Sequence, residues 1–241
     1  MAYTFNATTD RITSNIGANF PTTGTFCMRL KPTWSHTDAA NHVFFQAYTD
    51  ANNFFACQKF SDNQFYCGWK SAGTDYRATA AAAGITSGNW HSIICTWDDT
   101  ANETRFYIDG TQRASNLSTL VTNTISSSPV WGNANASSGD VDLAGDVAEI
   151  ALWSRVLTSG ERAAIDGGAS PDAGGTSGDW LCYRSCRETA IWSDSGITTA
   201  THPTITASPP VGDVRSGVKY QGNTFTGTLA SALAAMLGYA W

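Results

Sequence analysis

Short runs in which apolar and polar residues alternate, each closed by turn formers, constrain this chain most. They are TFCMRLKP (25–32), NHVFFQAY (41–48), NNFFACQKF (52–60), QFYCGW (64–69), HSIICTWD (91–98), TRFYIDG (104–110) and DVAEIALW (146–153). A period of two sends every second side chain to one face, so each run can bury one side and wet the other. Strands of this length, spaced by Gly, Asn, Asp and Ser, pack as antiparallel sheets rather than as alternating strand–helix units. The composition agrees, with 12% aromatic and only 14% charged residues in 241. The expected fold is all-β, a two-sheet antiparallel jelly-roll sandwich with one short helix and a C-terminal extension.

The helix signal is VLTSGERAAIDGG, where Thr158 followed by Glu161 forms a capping box and Gly167-Gly168 provides the stop. The segments 169–179 and 202–213 read as loops, the second because its prolines block ladder pairing. A boundary therefore falls near residue 208, dividing a sandwich (1–208) from a C-terminal arm (209–241). In the arm, Leu229, Leu233, Met236 and Leu237 form a helical stripe, and Tyr239 and Trp241 extend its apolar surface. A free terminus does not expose such a stripe, so these six residues are the expected assembly contact, with the sandwich's own surface as the alternative cover.

Six cysteines lie outside any zinc spacing. If Ser61-Asp62-Asn63 is a hairpin loop, Phe60 faces Gln64 and Cys57 lies opposite Cys67, on the same side as Phe55, Phe65 and Trp69. Both thiols are then core-facing, with a cross-strand disulfide as the alternative. Fourteen basic against twenty acidic residues give a formal charge of −6, which disfavours a nucleic-acid partner. No apolar stretch approaches the roughly 18 residues of a membrane span, and the start of the chain does not look secretory. Synthesis and folding in a cytoplasm, with no membrane partner, are the expectation.

The segment GNWHSIICTWDDTANETRFYIDGTQR (88–113) reads as a hairpin: W-H, alternating apolar residues, an acidic turn, then F-Y-I-D-G. It resembles the laminin G-like branch of the concanavalin A-like lectin/glucanase sandwiches. The likeness extends to YTFNATTDRIT (3–13), TFCMRLKP and GDVAEIALWSRVLTSGERAAI (145–165). DVRSGVKYQGNTFTGTLA (213–230) is similar to a short tail motif of tailed-phage virion proteins. These resemblances imply a virion structural or decoration protein, made in the host cytoplasm, whose partners are other virion proteins or sister subunits. A carbohydrate-binding module or adhesin for host surface glycans is the alternative, and a glycoside hydrolase of the same fold ranks third.

The candidate sites follow from these readings. Glucanases of this fold resemble one another in a strand that aligns acids as E-x-D-x-E or with one more spacer. Here Asp140, Asp142, Asp146 and Glu149 do not keep that spacing, and His91 has no nucleophile and orienting group beside it, so a structural role and no enzyme activity are expected. Trp34, Trp69, Tyr76 and Trp131 lie near turns and are the candidates for stacking on sugars, although large aromatics in strands more often pack in the core. Asp98, Asp99 and Asn102, and separately Asp140 and Asp142, could supply oxygen ligands to calcium, which related lectin-like domains often hold. Turn acids without an ion are commoner, and no other cofactor is expected.

Overall fold

A computed structural model describes residues 3–5, 11–14, 16, 20–125, 129–132, 143–169, 180–185, 197–201, 219–220 and 223–224. The strands are β1 (Tyr3–Phe5), β2 (Arg11–Ser14), β3 (Thr23–Pro32), β4 (His42–Asp50), β5 (Asn53–Lys59), β6 (Gln64–Ser71), β7 (Thr74–Asp75), β8 (Ala78–Ala81), β9 (His91–Asp98), β10 (Glu103–Ile108), β11 (Thr111–Asn116), β12 (Val130–Trp131) and β13 (Gly145–Trp153). Helix α1 (Ser159–Asp166) follows, then β14 (Trp180–Ser185), β15 (Ile197–Thr201), β16 (Lys219–Tyr220) and β17 (Asn223–Thr224). One seven-stranded sheet runs β1-β13-β3-β9-β10-β11, with β14 also on β13, and an eight-stranded sheet runs β15-β2-β12-β4-β5-β6-β7, with β8 also on β6. All of their pairings are antiparallel. The fold is the expected two-sheet sandwich with one short helix.

The core lies between the sheets because the alternation sends one set of side chains inward. Phe26, Met28, Ile93, Cys95, Trp97, Phe106, Ile150 and Leu152 from the first sheet meet Phe45, Phe55, Cys57, Phe65, Cys67, Trp69 and Trp131 from the second. Phe55 lies with its ring centroid 4.4 Å from that of Trp97, and Phe26 stacks on Phe45 at 4.9 Å. These contacts join the two sheets directly, and aromatic pairs of this geometry add about 0.5–1.5 kcal/mol beyond the area they bury.

Several readings of the sequence meet the structure in detail. Phe60 N–H donates to Gln64 O at 3.0 Å across the Ser61–Asn63 loop, and Cys57 faces Cys67 in register. Both cysteines are free and fully buried. Burial pushes the Cys57 thiol up to about 11, which keeps it protonated and unreactive. Both halves of the capping box close at α1: Thr158 Oγ1 accepts from Glu161 N–H at 3.3 Å, and Glu161 Oε2 accepts from Thr158 N–H at 2.7 Å. The stretch YTFNATTDRIT supplies two strands, β1 on the first sheet and β2 on the second. Such a switch ties the sheets together at one edge.

Among the described residues no helix is long and apolar enough to cross a membrane. Lys219 pairs with Thr224 and Tyr220 with Asn223. β16 and β17 therefore form a two-stranded antiparallel sheet of their own. Leu229, Leu233, Met236, Leu237, Tyr239 and Trp241 lie outside the described residues.

Candidate functional site

The dense segment 88–113 is a clamp. His91 starts β9 and is 6% exposed. The Thr86 N–H donates to its Nε2 at 3.0 Å, so Nε2 is the acceptor and Nδ1 carries the proton, which it donates to Asp109 Oδ2 at 2.7 Å. The other oxygen of Asp109 accepts from Ser92 N–H at 2.8 Å, and Asp109 N–H donates to Ser92 O at 2.9 Å. Asp109 and Gly110 both have positive φ, 50° and 71°, which is the backbone of a two-residue hairpin turn and explains the glycine. The W-H and I-D-G pieces of the segment are thus two halves of one lock on the β9–β10 end. Both imidazole nitrogens are committed to it, as expected for a structural histidine.

The structure corrects the expected stacking residues. Trp69 and Trp131 are fully buried in the core, so neither can offer a face to a sugar. Trp34 is 6% exposed: its Nε1–H donates to Leu143 O at 2.6 Å and its ring lies flat on His42 at 3.9 Å. His42 and the fully buried Lys59 both reach Asp38, at 2.7 and 2.6 Å. Burial pulls the Asp38 carboxyl upward, but the hydrogen bonds from Lys59, His42 and the Ala40 amide outweigh it and hold Asp38 below the ordinary carboxylate range. Trp34 therefore packs over the cluster in which His42 and Lys59 tie Asp38, and with it the loop 33–41, to the second sheet. Tyr76 is half-buried against the core.

Asp98 serves its own turn, while Asp99 and Asn102 tie the turn to its neighbours. Asp98 Oδ1 accepts from the N–H groups of Thr100 and Ala101 at 2.9 and 3.1 Å, and Asp99 Oδ1 accepts from Thr23 Oγ1 at 2.9 Å. Asn102, at φ 56°, accepts from Leu120 N–H through its side-chain oxygen at 3.0 Å. Among the described residues no group of three or more His, Cys, Asp or Glu is arranged to hold a metal ion. Asp140 and Asp142 lie outside the described residues. Of the other acids weighed for catalysis, Asp146 accepts from Thr4 Oγ1 at 2.7 Å, and Glu149 is 1% exposed on β13, opposite Arg29.

The two outer faces of the sandwich differ. On the first sheet, Cys27, Ile94, Tyr107, Ala151 and Trp153 are covered by Leu157 and by Ile165 of α1. On the second, the residues of opposite parity to the core set, Tyr48 on β4, Phe54 on β5 and Tyr66 and Lys70 on β6, are half-buried. Phe60, just past β5, is half-buried beside them. Their rings meet in pairs, Tyr48 with Phe54 at 6.2 Å and Phe60 with Tyr66 at 5.0 Å. Arg77 lies between the pairs, its guanidinium carbon 4.7 Å from the Tyr66 ring, 5.5 Å from Phe54 and 6.0 Å from Phe60. It is held bidentately by Asp75, with Nε donating at 2.9 Å to Oδ1 and the terminal nitrogen to Oδ2. Gly68 lies beneath: a Cβ there would meet Thr104 Cγ2 at 2.9 Å and Arg77 Cα at 3.2 Å, and its φ of 133° excludes most side chains. Lys70 Nζ lies 5.8 Å from the Phe54 ring centroid, and Tyr66 OH donates to Asp62 Oδ2 at 2.9 Å.

Chemically, this face joins apolar ring surface to fixed cations, a carboxylate and a phenol. Aromatic bodies with polar edges suit ligands that carry both C–H faces and hydroxyls. The sequence held the signal in its parity. Once Phe55, Phe65 and Trp69 are placed inward with the cysteines, Phe54, Tyr66 and Lys70 must point outward, and Trp69 cannot.

Residues 6–161, more than half of the chain, match Laminin_G_3 of the concanavalin A-like lectin/glucanases superfamily. The chain belongs to this superfamily. Solved structures with the superfamily's sandwich align with it at low identity and show the shared fold. A candidate carbohydrate-binding protein from Bacteroides ovatus has a TM-score of 0.57 and 13% identity, over 81% of this chain and 54% of that one. The native heptameric SAP-like pentraxin from Limulus polyphemus has 0.50 and 14%, over 86% and 96%. The Ruminococcus gnavus IT-sialidase CBM40 bound to α2,3-sialyllactose has 0.50 and 12%, over 69% and 98%. No curated protein sequence matches the chain.

Proposed function

We propose that this chain is a non-catalytic carbohydrate-recognition sandwich, carried as a structural accessory protein on a tailed-phage particle and displaying the outer face of its second sheet outward. The observation that carries the recognition part is the outer face of the second sheet, where two contacting aromatic pairs flank an arginine held by Asp75. A face so built is ordered before any ligand arrives, which limits the entropy lost on binding. Relatives in fold named for carbohydrate binding or solved with a bound sialyllactose agree with this reading. The absence of a catalytic role rests on the spacing of Asp140, Asp142, Asp146 and Glu149, on the burial of Glu149, and on the commitment of both His91 nitrogens.

The particle assignment is supported by the similarity of residues 213–230 to a virion tail motif and by the apolar stripe at 229–241. In this reading the C-terminal segment anchors the sandwich to other virion proteins or to sister subunits. The test has two arms. A glycan array probed with the whole chain should return a defined set of binders, lost in the Phe54→Ala/Tyr66→Ala double variant at unchanged melting temperature. Truncation after Val211 should leave melting temperature and array binding intact while abolishing incorporation into particles. Turnover of any array glycan, lost in Glu149→Gln, would instead make the chain a hydrolase.

A further inference from the structure

We infer a second carbohydrate subsite at the turn Thr86–Trp90, centred on the indole of Trp90 and suited to the face of an uncharged sugar ring; it rests on the glycan-binding reading above. Six tryptophans have described side chains, and five of them, Trp34, Trp69, Trp97, Trp131 and Trp153, are at most 6% exposed. Trp90 is 42% exposed. A single exposed apolar residue is ordinary; the fixed turn that presents this one is not explained by exposure alone.

The turn is pinned at three of the four residues preceding the indole. Thr86 N–H donates to His91 Nε2 at 3.0 Å, Gly88 N–H to Pro32 O at 2.8 Å, and Asn89 N–H to Thr86 O at 3.4 Å. Asn89 is exposed, and its Nδ2 donates to Thr86 Oγ1 at 2.9 Å, which orients the amide. His91, the next residue, is locked by Asp109 at 2.7 Å. Gly88 has a φ of 79° with open space where a Cβ would stand, so none of the described residues crowds the turn from that side. The loop 33–41 lies alongside, tied through His36 N–H to Ile85 O at 3.2 Å, and carries the exposed hydroxyl pair Ser35 and Thr37 at 3.2 Å.

An exposed indole next in sequence to an oriented amide has the parts a pyranose needs, a flat π-face for its axial C–H groups and a short polar group for its hydroxyls. The sequence of the turn, TSGNW, contains no ionisable side chain. That is why an uncharged ring fits here, whereas the face around Phe54 and Tyr66 holds Lys70 and Arg77.

The test uses the whole chain and an array of neutral trisaccharides built from glucose, galactose, mannose and N-acetylhexosamines, with iodide quenching of tryptophan fluorescence as a second readout. Trp90→Ala should weaken binding to the neutral binders by about tenfold or more at unchanged melting temperature, and Trp90→Phe should restore part of it. Saturation with the strongest neutral trisaccharide should shield an iodide-accessible tryptophan in the parent chain and shield none in Trp90→Phe. If binding is lost in Phe54→Ala/Tyr66→Ala but unchanged in Trp90→Ala, the subsite is overturned and the sheet face stands. If binding survives in the double variant and is lost in Trp90→Ala, the subsite stands and the sheet-face site falls. Binding of no glycan by the parent chain overturns both.

Discussion

The two outer faces of the sandwich are built from the same alternation and end in opposite states. On the first sheet the outward residues Cys27, Ile94, Tyr107, Ala151 and Trp153 are roofed by Leu157 and by α1 through Ile165, and the result is a second, smaller core. On the second sheet the outward rings of Tyr48, Phe54 and Tyr66, with Phe60 beside them, stay half-buried and are bracketed by Lys70 and Arg77. Parity alone says which side chains leave the main core. The next element in the chain decides what happens to them: after β13 the capped helix folds back over the first sheet, while after β6 the chain passes through β7 and Arg77 to β8 along the edge of the second.

The sharpest attack on this comparison is Trp153→Ala, which empties the covered face of a fully buried ring. It should cost about 3–5 kcal/mol by chemical denaturation, the range for deleting a buried tryptophan. A cost below about 1 kcal/mol would mean that the helix does not seal this face. Next in size is Asp109→Ala, which leaves His91 Nδ1–H and Ser92 N–H without their acceptor. It should cost about 1–3 kcal/mol and raise hydrogen exchange at the β9–β10 end first.

The cover itself is acid-labile. The hydrogen bond from Arg155, followed by the Thr158 backbone and side chain, overcomes desolvation and holds Glu161 at about 2 against its ordinary 4.5. A carboxyl depressed on folding adds stability that is complete above its unfolded value and is lost as pH falls through its folded one, here from about 4.5 towards about 2. Glu161→Gln should flatten that part of the acid limb, and Thr158→Ala should remove about 1 kcal/mol near neutrality. The smallest effect is expected on the open face. Tyr66→Phe deletes the phenol that donates to Asp62 at 2.9 Å and should cost about 0.5 kcal/mol in stability, with the change visible in glycan affinity instead.

Much of this was legible in the sequence, and the failures are instructive. The strand runs, the Cys57/Cys67 register and the Thr158/Glu161 box each rest on local rules of spacing, and local rules survive folding. Trp34 and Trp131 were misplaced as binding residues because nearness to a turn does not report what lies above a side chain. Only the pairing of Trp131 with Phe45, and the stacking of Trp34 on His42, show that both are enclosed. Trp69 was readable as core from its parity with Cys67. Arg77 carries no pattern, and the W-H pair does not report that Trp90 is exposed: their roles come from a bidentate partner two residues away and from a turn closed by Pro32 and His91.

The central claim is that the outer face of the second sheet, and not the face covered by α1, meets the ligand. Hydrogen–deuterium exchange of the whole chain with and without a saturating array-selected glycan tests it most directly. The account predicts new protection in peptides spanning 53–71 and none in 145–166; protection of 145–166 with 53–71 unchanged would contradict it.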